Sequence, residues 1–357
     1  MKTIVLLLII CLMTPAFALS KPTTQPRNVA FRDDGITLVD GKPFFPIAIW
    51  LYELNSHVMG DLHEHQFNTV IGNAIEPRHL DFIQQHGMMA VPMSTDEMIK
   101  AGKDHPALLA WYLVDEPETN HTPDDVKKSY EHLKAKDPNH PIGLTNYLFE
   151  ALAKFKDGSD FTMTDVYPIL WERDGLIHNV GVFVDEARRI HGPNWPHWCH
   201  IQIFGGKDTD GGKWEQPLPH EVRCMTFIAL VHRATGISYF SYWPKAPLTW
   251  NSVTQLNKDL HRIEPWLLAR GEERSAKAQD PIVQIRAKQV GDSWLIIAVN
   301  TGPKFVQTEL NVRGLGDAKI EMAFERRDVQ ARDEKWTDRF GPFEERVYVV
   351  GQEPQVR

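Results

Sequence analysis

Two adjacent carboxylates, Asp115 and Glu116, stand between the apolar run 110–114 and Pro117. An unbroken apolar stretch reads as a strand buried on both faces, and a proline, which has no N–H for the ladder, ends it. The strand therefore delivers both carboxyls at its mouth. Side chains alternate across a strand, so one of the two faces inward and the other sideways unless the strand bends. Carboxylates held this close repel each other, and one pKa rises. A carboxyl that keeps its proton is suited to protonating a leaving oxygen. A simple helix cap would instead favour Asp, Ser or Thr directly before the helix.

Such groups need a scaffold. From residue 46, short β-rich apolar runs alternate with helical periodicity. The runs are 46–50, 67–71, 88–92, 109–114, 141–146, 161–167, 197–204 and 237–243. Helical spacing appears at Leu80, Ile83 and His86, at Val126, Tyr130 and Leu133, and at Leu256, Leu260, Ile263 and Leu267. Eight such units predict an α/β fold, a (β/α)8 or TIM barrel. A doubly wound sheet would carry a Gly-rich phosphate turn after an early strand. Gly205-Gly206 and Gly211-Gly212 follow the seventh run and lack that spacing. Beyond about residue 275 helical signal fades, and the runs 282–285, 294–299, 305–312, 320–324 and 347–349 predict a small C-terminal antiparallel β-sandwich. The expected organisation is a barrel over 28–275 and a sandwich over 276–357.

In such a barrel, functional groups sit at the C-terminal ends of strands. That rule adds Glu53 after the first run, Asp165 and Tyr167 closing the sixth, Gln202 in the seventh, and Tyr242 with Trp243 ending the eighth. Trp171, Trp214 and Trp250 are further aromatic candidates, although a tryptophan is more often core. Glu221, at a predicted helix start, suits the helix dipole as well as a site. His63-Glu64-His65 has i, i+2 spacing, which does not converge two imidazoles on a helix. No metal and no cofactor are expected.

The formal charge of −8 and the absence of a Lys/Arg block argue against nucleic acid as a partner. Lys2, the apolar run 4–13 and the small-x-small Ala16-Phe17-Ala18 read as a bacterial-type signal peptide over 1–18, too short for a stable membrane span. Ile10 before Cys11 does not suit a lipid-anchor site. The mature protein is expected to be secreted or periplasmic, without a membrane anchor. Export permits a disulfide between Cys199 and Cys224, whereas buried free thiols are the commoner state.

The stretch His105-Pro106-Ala107-Leu108-Leu109-Ala110-Trp111-Tyr112, leading to Asp115-Glu116-Pro117, resembles the fourth-strand motif of clan A glycoside hydrolases. There an Asn-Glu-Pro carries the acid/base glutamate. Asp40-Gly41-Lys42-Pro43-Phe44-Phe45-Pro46 resembles their entry to the first strand, and Asp165-Val166-Tyr167-Pro168 their sixth-strand end. Trp243 stands where they place an aromatic floor, and the segment Phe340-Gly341-Pro342-Phe343 to Val347-Tyr348 looks like their trailing β-domain. The resemblance implies a carbohydrate substrate, with Glu116 as proton donor. Two departures matter. Asp115 replaces the Asn, and the seventh run offers His200, Gln202 and Phe204 where a nucleophilic Glu is the rule. Three arrangements follow. Asp115 and Glu116 resemble the pair of hexosaminidases that use the substrate's acetamido group, with Gln202 and Tyr167 as walls. Alternatively, Asp165 or Glu53 activates a water in an inverting enzyme. A degenerate barrel that only binds sugar is the third. Should the seventh strand lie elsewhere, Glu215 or Glu221 becomes the partner.

Overall fold

A computed structural model describes residues 25–170, 176–207 and 213–356. The expected leader, Trp171 and Gly211-Gly212 lie outside them. Eight parallel strands form the centre: β1 (Ile47–Trp50), β2 (Thr69–Gly72), β3 (Met89–Pro92), β4 (Trp111–Asp115), β5 (Ile142–Asn146), β6 (Phe161–Thr164), β7 (His197–Gln202) and β8 (Gly236–Phe240). They run in the order β3-β2-β1-β8-β7-β6-β5-β4. Bridges Ala90↔Leu108 and Met93↔Tyr112 join the two ends, so the sheet is a nearly closed barrel. Each expected run supplies one strand.

Helices α1 (Ser56–Glu64), α2 (Leu80–Gln85), α3 (Asp96–Gly102), α4 (Pro123–Lys136), α5 (Phe149–Lys154), α6 (Asn179–His191), α7 (Pro219–Val231) and α8 (Pro247–Leu268) alternate with the strands. Their starts follow local chemistry. Asn55 and Thr95 accept from the backbone N–H groups of Val58 and Met98. Thr122 does the same for α4, with Pro123 in the first helical position. The Glu221 carboxylate accepts from Leu218 N at 2.7 Å and so belongs to the start of α7.

Strand alternation divides the core in two. Ile47, Ile49, Val70, Ala90, Cys199, Ile201 and Ile237 point outward and pack under the helices. Trp50, Ile71, Val91, Tyr112, Phe161, Met163 and Trp198 point inward and fill the lumen. Each fully buried large side chain stabilises the fold by about 1.5–3 kcal/mol. The lumen is tight enough to need glycine at 143, where a Cβ would clash with the Phe161 ring.

After α8 ends at Leu268, the chain enters a six-stranded antiparallel sheet, starting at Glu272–Arg274, which faces a three-stranded one. This is the C-terminal β-sandwich. Its strand Ser293–Asn300 is buried on both faces. Leu295, Ile297 and Val299 meet the barrel helices, while Ile296 and Ala298 enter the sandwich core. Arg223 on α7 spans the junction, bonding Asp259 of α8 at 2.6 Å and Glu345 of the sandwich at 2.7 Å. Cys199 and Cys224 are buried free thiols. Among the described residues, no helix is long and apolar enough to cross a membrane.

Candidate active site

The acidic doublet lies at the C-terminal mouth of the barrel, and both of its side chains line one cavity of about 170 Å³. A bend in β4 accounts for this. The strand pairs Tyr112 with Gly143 and Asp115 with Thr145, so three steps on β4 match two on β5. The extra residue is a β-bulge, which re-aims the side chains that follow. Leu113 and Val114 turn outward onto the apolar cluster of Val126 and Leu144, and Asp115 turns in. Glu116 then takes left-handed backbone angles, φ 43° and ψ 58°. A non-glycine residue there costs of order 1–3 kcal/mol and needs its surroundings to hold it. Glu116 N donates to Thr145 O at 3.1 Å, and Glu116 O accepts from Thr119 N at 3.0 Å.

Asp165, just beyond β6, is 6% exposed and hydrogen-bonds the Glu116 carboxyl. Two carboxyls in contact share a proton. Burial, then that bond and the neighbouring charges of Glu116, Asp115 and Glu118, hold Asp165 well above the usual carboxylate range. Asp165 is therefore the member that keeps the proton. Asp115 reaches solvent through the mouth but has protein on its other sides. This crowding, with the charges of Glu116 and Glu118, raises its pKa against the opposing hydrogen bond from Tyr112. Glu118 has a structural role. Its carboxylate accepts from Asn146 Nδ2 and from the backbone N–H groups of Tyr147 and Leu148 at 2.7–3.0 Å, fixing the loop after β5.

Aromatic rings make the walls. Trp50, Tyr167, Phe204, Trp214 and Phe240 line the cavity, and Tyr112, Thr145 and His200 complete its floor. Phe240 lies 5.4 Å from both Tyr167 and Phe204, centroid to centroid. Tyr52 stands at the rim, 62% exposed, with its edge against Phe240. Among the described residues, no lysine or arginine lines the cavity. Burial pushes the His200 pKa down to about 3, so its imidazole is neutral.

Of the residues singled out in the sequence, Asp115, Glu116, Asp165, Tyr167 and Trp214 meet in this cup. Four others do not. Gln202 is fully buried, and its amide is consumed by backbone. Oε1 accepts from Ile169 N, and Nε2 donates to the carbonyls of Ile169, Phe204 and Glu215. It is a clamp between loops rather than a wall. Tyr242 turns away to donate to Asp61 Oδ2 at 2.9 Å. Trp243 carries the Lys245 ammonium over its ring and is not part of the cup, because β8 ends at Phe240, which provides the aromatic there. Glu53 is exposed, its charge felt by Tyr242. Glu221 is taken up by the helix start, and Trp250 stacks on His65 at 4.3 Å. Tyr112, Thr145 and Phe240 escaped the sequence reading, although each shares strand parity with an inward neighbour.

No family model matches the sequence, and no curated relative does. Solved structures share the fold. A glycoside hydrolase family 5 protein from Bacteroides vulgatus aligns with a TM-score of 0.63 at 13% identity, covering 92% of this chain and 95% of that one. A putative alpha-galactosidase/melibiase from Bacteroides fragilis aligns with a TM-score of 0.61 at 13% identity, covering 87% and 80%. An alpha-amylase from Geobacillus thermoleovorans, solved with acarbose, gives 0.60 at 9% identity, covering 86% and 98%. The architecture of barrel plus trailing sandwich is thus one that glycoside hydrolases use.

Proposed function

We propose that the protein is an exported glycoside hydrolase that cleaves O-glycosidic bonds of an oligo- or polysaccharide, with Glu116 as general acid. The proton-sharing contact between Glu116 and Asp165, at the bottom of an aromatic cup, carries this reading. Glu116 is the more open of the two and reaches the substrate. Asp165 behind it stores the proton. In the reaction the glycosidic C–O bond breaks as the departing oxygen takes a proton from Glu116, and the pair supplies it by passing the proton stored on Asp165 across their contact. Positive charge develops at the anomeric carbon, and the Asp115 carboxylate faces it, directly or through the substrate's acetamido group. Water then supplies the hydroxyl, and its remaining proton restores the pair. Asp165 is poorly suited to act as the water-activating base, since it holds a proton, and Glu53 does not line the cup.

Flat apolar faces on Tyr167, Phe204, Trp214 and Phe240 suit the C–H faces of pyranose rings. The similar structures bear the names of enzymes for different sugars, which supports the class of bond and leaves the sugar to experiment. Export rests on the leader 1–18 alone, and mass spectrometry of the mature N-terminus tests it. One feature favours a non-catalytic carbohydrate-binding protein, namely the absence of a carboxylate on β7, where Gln202 is a structural clamp. The deciding experiment is Glu116→Gln, assayed on a panel of neutral and N-acetylated glycosides. We expect turnover to fall by roughly 10²–10⁴ with binding retained. Unchanged turnover in the variant, or calorimetric binding by the wild type without any product, overturns the proposal.

A further inference from the structure

Asp115 is the end of a hydrogen-bond chain that crosses the barrel lumen. Tyr112 Oη lies 2.6 Å from Asp115 Oδ1 and 2.6 Å from Thr145 Oγ1. Thr145 Oγ1 lies 3.2 Å from His200 Nε2. The chain joins β4, β5 and β7, and Tyr112, Thr145 and His200 are each at most 2% exposed. Among the described residues His200 Nδ1 has no partner, and it is shut off from solvent.

Proton counting fixes the direction. A hydroxyl has one hydrogen, and an ionised carboxylate only accepts. With Asp115 ionised, Tyr112 donates to it and accepts from Thr145. Thr145 has then spent its hydrogen and accepts from His200 Nε2–H. The unpartnered Nδ1 is left as a lone pair. Suppose instead that Asp115 took a proton on Oδ1 and donated it. Tyr112 would donate to Thr145, Thr145 to His200 Nε2, and the imidazole hydrogen would move to Nδ1. That places an orphaned N–H among buried rings, with Trp50 edge-on at 6.3 Å. Buried N–H groups without partners are rarer and costlier than under-used acceptors. Becoming cationic is no escape for His200, because burial opposes its charge.

We propose that Tyr112, Thr145 and His200 form a proton-ordering relay that keeps Tyr112 donating to Asp115 Oδ1 and so favours the carboxylate of Asp115 beside the Glu116–Asp165 pair. The three are positioning residues, acting on the substrate only through Asp115. The groups facing Asp115 are otherwise acidic or neutral. They are Glu116 and Glu118 from its own loop, Asp165 and Tyr167 beyond β6, and Tyr52 beyond β1. Among the described residues that line the cup there is no lysine or arginine to do the same work. The inference rests on the glycosidase reading for its consequence in turnover, but the relay itself can be tested without a substrate.

The test is the titration of Asp115 in the full-length mature protein, followed by ¹³C NMR of labelled aspartate carboxyls, with Asp115→Asn used to assign the signal. Thr145→Val keeps the shape and deletes the hydroxyl, Thr145→Ser restores it, and Tyr112→Phe removes the last donor. We expect Thr145→Val and Tyr112→Phe to raise the Asp115 midpoint by about one pH unit, a tenfold change in proton affinity. Thr145→Ser should return it to the wild-type value. If a substrate is hydrolysed, the acid limb of kcat/KM should move by the same amount. Wild-type titration in both Thr145→Val and Tyr112→Phe overturns the relay, as does a Thr145→Ser protein that titrates like Thr145→Val. Should Thr145→Val fail to fold, Tyr112→Phe and Thr145→Ser decide the matter. A shifted midpoint with no hydrolysis of any glycoside would sink the enzyme reading and leave the relay standing.

Discussion

Asp165, beyond the sixth strand, hydrogen-bonds Glu116, beyond the fourth, and is the member of the pair that keeps the proton. A buried carboxyl in this state is a store of acid that is drawn on only when substrate reaches Glu116. It also makes the fold sensitive to pH in a direction opposite to that of a salt-bridged aspartate.

Asp165→Asn should remove that sensitivity. The folded-state pKa of Asp165 is raised above the unfolded value of about 3.9. In the window between the two, the folded protein binds a proton that the unfolded chain has released. Stability therefore falls as pH climbs through the window. The Asn variant, still able to donate to Glu116, escapes this loss. It should be more stable than wild type on the alkaline side of the window, while turnover drops. Urea melts across a pH series check it, and parallel curves for the two proteins would refute the assignment of the proton.

The pH–rate profile should be bell-shaped. Its acid limb reports protonation of Asp115, above the ordinary carboxylate range because of crowding and its acidic neighbours. Its alkaline limb reports loss of the proton held by Asp165, which burial and the acidic neighbours keep well above the usual carboxylate range. Measuring kcat/KM from pH 4 to 9 checks both limbs, and Asp115→Asn should abolish the acid one.

Gln202→Glu should not create a nucleophile. The incoming carboxylate would face the carbonyls of Ile169, Phe204 and Glu215, which now accept from the amide. Burying a charge without a partner costs several kcal/mol. We expect a loss of roughly 3 kcal/mol or more in stability by urea denaturation and no covalent glycosyl–enzyme by mass spectrometry. A stable variant that traps a sugar would mean the side chain reaches the cup.

The fold was legible because a buried strand betrays itself as a short apolar run, and eight of them alternating with helices allow few architectures. The site was legible where polarity broke such a run, as at Asp115, Glu116 and Asp165. It was not legible where a strand ended earlier than its apolar pattern. The eighth run continues to Trp243, but β8 stops at Phe240, and the chain turns away with Tyr242 and Trp243. At Gln202 the inward direction was readable, but the backbone carbonyls awaiting the amide come from loops whose path no local pattern encodes. The β4 bulge that turns Asp115 inward leaves no mark in the sequence.

Trp214 and Trp243 provide the sharpest contrast among the walls. Trp214 packs edge-on to Tyr167 and Phe204, at 6.3 Å and 5.4 Å, and lines the cup. Trp243 pairs with Lys245 outside it. A sugar that stacks in the cup buries apolar surface on Trp214 and none on Trp243. Losing that burial is worth about 1–2 kcal/mol, or roughly tenfold in affinity. Trp214→Ala should therefore raise KM or Kd by about that factor with little change in kcat, because stacking is felt equally before and during bond cleavage. Trp243→Ala should leave both parameters near wild type. Calorimetric titration with the best glycoside of the panel gives the binding term, and steady-state kinetics the split. If Trp243→Ala weakens binding and Trp214→Ala does not, the sugar lies beyond the end of β8, and the cup between Asp115 and Phe240 is not where it binds.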